Sequence, residues 1–226
     1  MSTLKPTYDG PARALDGDKV AHDRSRALLV QVMVYVAVTV GLAALGAYLG
    51  RDLDGAIGLV LFVATIPVVV ALNIAAAKGR EQLAIGLLSG LGLLLGLAVA
   101  PLVADYASAD PSALWQAAGV TAAFVAATGA YGYATRRDLG SWGRTLFSAL
   151  LGLIAFGIAA IFVSIPAENV IYAVAGLVIF GAFTIFDFNR LRRSTPDTAV
   201  PIAAGIFLDV FNVFLLVLDL FGSRRD

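Results

Sequence analysis

No cysteine occurs in these 226 residues, and the single histidine, His22, lies in a polar stretch near the start. The first absence excludes disulfides, thiol catalysis and Cys-ligated metal. The second removes the material for a His-based zinc site or a Ser-His triad. Charge is scarce too: 14% of residues are Asp, Glu, Lys or Arg, against 59% hydrophobic. A soluble domain of this length could not cover so much apolar surface, so the solvent for most of the chain is lipid. Net charge is zero and argues neither for nor against an acidic partner; no nucleic-acid partner is expected. No cleavable signal peptide is read, because the first apolar run follows a hydrophilic leader and is too long for an h-region.

What the chain does have is seven long apolar runs. A helix crosses a hydrocarbon core of about 30 Å with roughly 20 apolar residues. Runs of that length fall at 27–50, 55–77, 82–104, 113–135, 145–165, 167–186 and 199–221. The expected fold is an all-α integral membrane protein, a seven-helix bundle over 27–221, with a polar, disordered N-terminal segment at 1–26 and a short polar tail at 222–226. Breaks between the runs carry charge, Gly or Pro, as at Arg51-Asp52-Leu53-Asp54, Lys78-Gly79-Arg80-Glu81, Asp110-Pro111 and Pro166.

Thirteen of the sixteen basic residues fall on one side of such a bundle: the leader, Lys78 and Arg80, then Arg136, Arg137 and Arg144, then Arg190, Arg192 and Arg193. Only Arg51, Arg224 and Arg225 fall on the other. The asymmetry predicts a cytoplasmic N-terminus. A seventh crossing puts the C-terminus outside; a re-entrant last segment would satisfy the charge rule slightly better, so both remain open.

Lipid gives helices no hydrophobic reason to associate, which makes small residues the expected contacts. In span three, Gly86 and Gly90 form one pair and Gly92 and Gly96 another, pointing to roughly opposite faces; Gly46 and Gly50 form a weaker pair in span one. Span four carries Thr121, Phe124, Thr128, Tyr131 and Thr135 on one face. This stripe reads either as hydrogen-bonding glue between helices or as the wall of a polar cavity, with Thr128 and Tyr131 as polar support.

Two acids stand out. Asp209 lies ten residues into the last run, about 15 Å along a helix axis, where an intramembrane carboxylate is a functional hypothesis by default. Asn212 shares its face and could supply a hydrogen bond. Asp187 sits at the end of the preceding run with Arg190 three residues on. It reads either as an ordinary ion pair at a helix end or as the partner of Asp209. Direct contact requires span six to run on toward Arg193 or the two spans to tilt, and Pro201 and Gly205 could bend the entry to span seven.

The run Thr121-x2-Phe124-x6-Tyr131-x3-Thr135-Arg136-Arg137-Asp138-Leu139-x3-Gly143 resembles the signature of the Bax inhibitor-1 family, also called the transmembrane Bax inhibitor motif family. Phe186-Asp187-Phe188-Asn189-Arg190 and Phe207-Leu208-Asp209-Val210-Phe211-Asn212 resemble its sixth- and seventh-helix motifs. The likeness covers about residues 25–222, is nearest to bacterial members and so implies a bacterial inner membrane. It implies a bundle with the last helix near its centre and a pH-sensitive calcium leak, with Asp187 and Asp209 as a proton-sensitive pair and transient calcium ligands. It also implies Lys78 as a counter-charge to Asp187. One departure is clear. Some relatives pair an acid inside the second helix with a base late in the seventh; here Pro67 and Asp219 stand near those places, so that latch cannot operate.

Three functions follow from these readings. In the first, a pH-gated cation leak, two carboxylates close together in low dielectric cannot both ionise cheaply, so one holds a proton; calcium is the transported ion and there is no cofactor. The second is a non-transporting regulator that binds another membrane protein such as a quality-control protease. The third is an intramembrane aspartyl protease, against which Ile206-Phe207-Leu208-Asp209 lacks the Gly-x-Gly-Asp of such enzymes. A non-enzymatic monomer is the expectation.

Overall fold

A computed structural model describes residues 11–162 and 168–222. The first ten residues, Pro166, and the tail arginines Arg224 and Arg225 lie outside the described residues. All regular structure described is helical: α1 (Pro11–Leu49), α2 (Gly55–Ala77), α3 (Glu81–Ala109), α4 (Pro111–Ala134), α5 (Trp142–Phe162), α6 (Glu168–Arg192) and α7 (Ala199–Gly222), with a 3-10 turn at Pro196–Thr198 before α7. Seven of these helices are long and apolar enough to cross a membrane, the α1 crossing being Ser25–Leu49. This is an integral membrane protein. Large side chains such as Leu59, Val60, Ile66 and Val178 stand exposed on the outside of the bundle, an outer surface that suits hydrocarbon rather than water.

Helix ends follow local chemistry. Asp54 caps α2, its carboxylate accepting from the Ala56 N–H at 2.6 Å. After the Lys78 cap, Gly79 adopts φ +68°. The Arg80 N–H returns to the Ala75 carbonyl and the Gly79 N–H to that of Ala76, the left-handed closure that glycine permits. Asp110 caps α4 with Pro111 in its first turn, where a missing N–H costs nothing. The leader differs from expectation: α1 begins at Pro11, so the helix passes from polar sequence into the span with no further proline to stop it.

The bundle has a centre. α7 packs against α1, α2, α3, α4 and α6, and 56% of its apolar stretch is buried, against 39% for α3 and 11% for α5. α1 and α3 come together through glycine. A Cβ on Gly46 or Gly96 would overlap the backbone carbonyls of Leu93 and Ala43, and one on Gly92 would lie 2.6 Å from the Thr39 oxygen. The Gly92/Gly96 pair therefore makes the expected contact. The Gly86/Gly90 pair does not: a Cβ at either would meet nothing within 4 Å. α3 does contact a second helix, α2, but through Gly58, where a Cβ would lie 2.6 Å from the Ala98 carbonyl oxygen. Spacing identifies small residues sharing a face; it does not say whether another helix comes to that face.

Candidate functional site: two buried carboxylates

α6 continues past Phe186 to Arg192, so Asp187 lies inside the helix rather than at its end. It is buried, as is Asp209. α6 and α7 pack side by side, and the two carboxylates are close enough to feel each other's charge. The approach depends on Gly205. A Cβ there would overlap the Asp187 carboxylate oxygen, so Asp187 rests on bare α7 backbone one turn before Asp209. α7 is continuous through Pro201 and Gly205; the glycine admits a neighbour instead of bending the helix, and Pro201 falls in the first turn, where helices tolerate proline.

Asp209 is held differently. The Thr184 side chain lies beside its carboxylate, with the Thr184 hydroxyl donating to the Phe180 carbonyl at 2.8 Å. The second carboxylate oxygen, Oδ2, is buried with no hydrogen-bond partner. Such an atom is costly in a dry interior. The surroundings are apolar on both sides: toward the arginine-rich end Ile202, Ile206 and Leu191 belong to one buried apolar cluster, and toward the other end Phe180, Val213 and Leu218 belong to a second.

The remaining expected site residues are placed less centrally. Arg190 is exposed and acts on Asp187 electrostatically, without an ion pair between them. Lys78 is exposed at the end of α2 and makes no ion pair among the described residues. The Asn212 amide donates to the Leu208 carbonyl at 2.7 Å, serving its own helix and not Asp209. Thr128 likewise donates to the Phe124 carbonyl at 2.8 Å. Tyr131 is 63% exposed on the outside of α4, a position that suits an interfacial aromatic ring. The span-four stripe is thus split: Thr121 is buried and Phe124 packs on Gly181 of α6, while Tyr131 turns outward. The tight α4–α6 contact is made by Gly132, where a Cβ would overlap the Ile185 carbonyl.

Asn189 is the residue that sequence reading passed over. It is buried, and its amide nitrogen lies 2.9 Å from the Thr135 carbonyl, 3.1 Å from that of Arg137 and 3.4 Å from that of Gly132. Its oxygen accepts from the Leu139 N–H at 3.4 Å. Arg193 adds a 2.8 Å hydrogen bond to the Arg136 carbonyl and a 3.3 Å ion pair with Asp138. The basic-basic-Asp-Leu turn and the sixth-helix motif, separate in sequence, are two halves of one clasp. Helical spacing did contain a signal for Thr184, three before Asp187, and for Gly205, four before Asp209, as a contact instead of a bend.

Seven membrane helices, one of them central and carrying a buried acid with a second acid docked on its backbone, define a polytopic helical bundle built around a carboxylate pair. The chain belongs to the Bax inhibitor-1 family: residues 25–226 match the family described as "Inhibitor of apoptosis-promoting Bax1". It is 27% identical over 212 residues to an uncharacterized protein of Helicobacter pylori strain J99, covering 92% of each chain. To the inner membrane protein YbhL of Escherichia coli K12 it is 28% identical over 178 residues, 73% of this chain and 74% of the relative. To the Golgi anti-apoptotic protein of vaccinia virus strain Lister it is 31% identical over 144 residues, 63% of this chain and 60% of the relative.

Proposed function

We propose that this protein is a pH-sensitive cation leak that passes calcium and is gated by Asp187 and Asp209, working without catalysis. The observation that carries this reading is the docking of one buried carboxylate against the α7 backbone beside another whose Oδ2 has no partner. Two like charges so placed repel when both are ionised, and a proton between them removes the repulsion. Thr184 can register that change. A hydroxyl has one proton; while Thr184 gives it to the Phe180 carbonyl, its oxygen can only accept, and a protonated Asp209 is the neighbour suited to donate to it. When both acids are charged, Thr184 must turn to donate. α6 and α7 therefore have two hydrogen-bonding arrangements selected by proton occupancy.

Deprotonation would also offer oxygen ligands to a hard cation. Two carboxylates fall well short of the roughly six to eight oxygens calcium takes, and among the described residues no cluster of three or more His, Cys, Asp or Glu is placed to hold a metal. Transient passage suits this donor set better than storage. Lys78 would serve as counter-charge to Asp187 in a conformation that draws the end of α2 inward. An inner-membrane location is supported by the Escherichia coli relative's name, and a cytoplasmic N-terminus by the basic residues gathered on that side.

The test is calcium flux into liposomes containing the purified chain, from mildly acidic to mildly alkaline pH. Wild-type flux should vary with pH, and Asp187→Asn and Asp209→Asn should both flatten the profile, Asp209→Asn more strongly. Correctly inserted variants with an unchanged profile would remove the aspartate-pair mechanism. A second reading, a regulator acting by binding another membrane protein, is favoured by the anti-apoptotic name of the viral relative. Stoichiometric co-purification from native membranes, with no flux in liposomes, would select it.

A further inference from the structure

Beside the clasp, at the arginine-rich end of the bundle, a cleft of about 310 Å³ opens between the end of α6 and the α4–α5 connection. Asp138, Phe186, Asn189, Arg190, Arg193 and Ser194 line it, and the carboxylate-pair mechanism makes no use of it. Most of its polar groups are committed. The Asn189 amide holds loop carbonyls, the Ser194 hydroxyl donates to the Arg190 carbonyl, and Asp138 is paired with Arg193. Arg190 is the exception. Its guanidinium makes no hydrogen bond or ion pair among the described residues, and Arg193 retains donors beyond the two it uses on Arg136 and Asp138.

The surroundings select the sign of a ligand. Arg190 and Arg193 line the cleft with one acid, Asp138, which is already paired with Arg193, and Arg136 and Arg137 belong to the connection whose carbonyls bond Asn189 and Arg193 beside it. A free cation would be repelled from such a cleft, while a planar guanidinium matches a phosphate bidentately. The volume is that of roughly ten waters, enough for a phosphate group with its substituent. The cleft also lies where α6 leaves the apolar span at Arg192, the depth at which lipid phosphates sit, and basic pockets between membrane helices are known receptors for headgroups.

We propose that this cleft binds a phosphate group, carried on an anionic membrane lipid or free in solution, through the uncommitted Arg190 guanidinium with Arg193 as second donor. The proposal does not rest on the calcium reading.

The test uses the purified full chain in detergent. Thermal melting and native mass spectrometry would be followed against phosphatidylglycerol, phosphatidylcholine and inorganic phosphate. Phosphatidylglycerol should raise the melting temperature and remain bound where phosphatidylcholine does not. Inorganic phosphate acting as well as the lipid would assign the site to the free anion; phosphatidylglycerol alone acting would assign it to the headgroup. Arg190→Gln should weaken binding about tenfold, the loss of one charge-assisted contact, while melting like wild type in phosphatidylcholine. Arg190→Lys, which keeps the charge without the fork, should fall between. Arg144→Gln, at the same end but outside the cleft, should bind as wild type. Equal weakening by Arg144→Gln and Arg190→Gln would mean diffuse surface attraction and overturn the site, as would the absence of any preference for phosphatidylglycerol or phosphate.

Discussion

At Gly205 the space of one methyl group decides whether Asp187 can reach the α7 backbone. A Cβ there would overlap the carboxylate, so Gly205→Ala must push Asp187 away or part the two helices. The expected cost is about 1–3 kcal/mol, that of overpacking a tight contact. The cause can be isolated, because shortening the opposing side chain relieves it. Gly205→Ala should be far less damaging in an Asp187→Ala background, and a double-mutant cycle on thermal unfolding in detergent should give a coupling of about 0.5–3 kcal/mol. Additive effects would mean that the glycine matters for some other reason. Asp187 was ambiguous in the sequence, and this contact is why: its reading as an end-of-helix ion pair with Arg190 depended on α6 stopping near Phe186. The helix runs on to Arg192, and burial follows from that.

At the scale of elements, the clasp joins the end of α6 to the connection between α4 and α5. Asn189→Ala would strand several loop carbonyls at a buried site, a loss of the order of 3 kcal/mol. The loop contains Arg136 and Arg137, so its release should appear as faster tryptic cleavage there while the rest of the bundle stays protected. Unchanged cleavage would show that Arg193 alone holds the turn. The α1–α3 contact makes a sharper comparison, since two glycine pairs on one helix have opposite surroundings. Gly96→Ala drives a methyl into the Ala43 carbonyl, whereas Gly86→Ala meets open space. The first should cut the yield of folded protein and lower its melting temperature; the second should change stability by within about 0.5 kcal/mol. Equal effects would contradict the packing described.

For the whole molecule, the central place of α7 follows from what lipid permits. A charged group facing hydrocarbon is costly, so the helix with the deepest acid is the one the others surround, and it alone is more than half buried along its apolar stretch. With seven crossings, the two termini should lie on opposite sides, the N-terminus with the thirteen basic residues. Paired reporter fusions at the two termini check this: activity of both on one side would mean that α7 does not cross completely.

The seven crossings and the depth of Asp209 were legible from sequence because they are local properties. A helix in lipid satisfies its own backbone groups, and its length and composition alone decide whether it spans. The family was legible because ordered motifs survive as letters. Tertiary structure alone decided which glycines are contacts, that Asn189 and the Thr135–Leu139 turn form one clasp, and that Asn212 and Thr128 bond their own helices while Tyr131 turns outward. Each of these depends on how a helix is rotated and which neighbour approaches it. In lipid that choice rests on close van der Waals fit and interhelical hydrogen bonds, which residue spacing along a single helix does not encode.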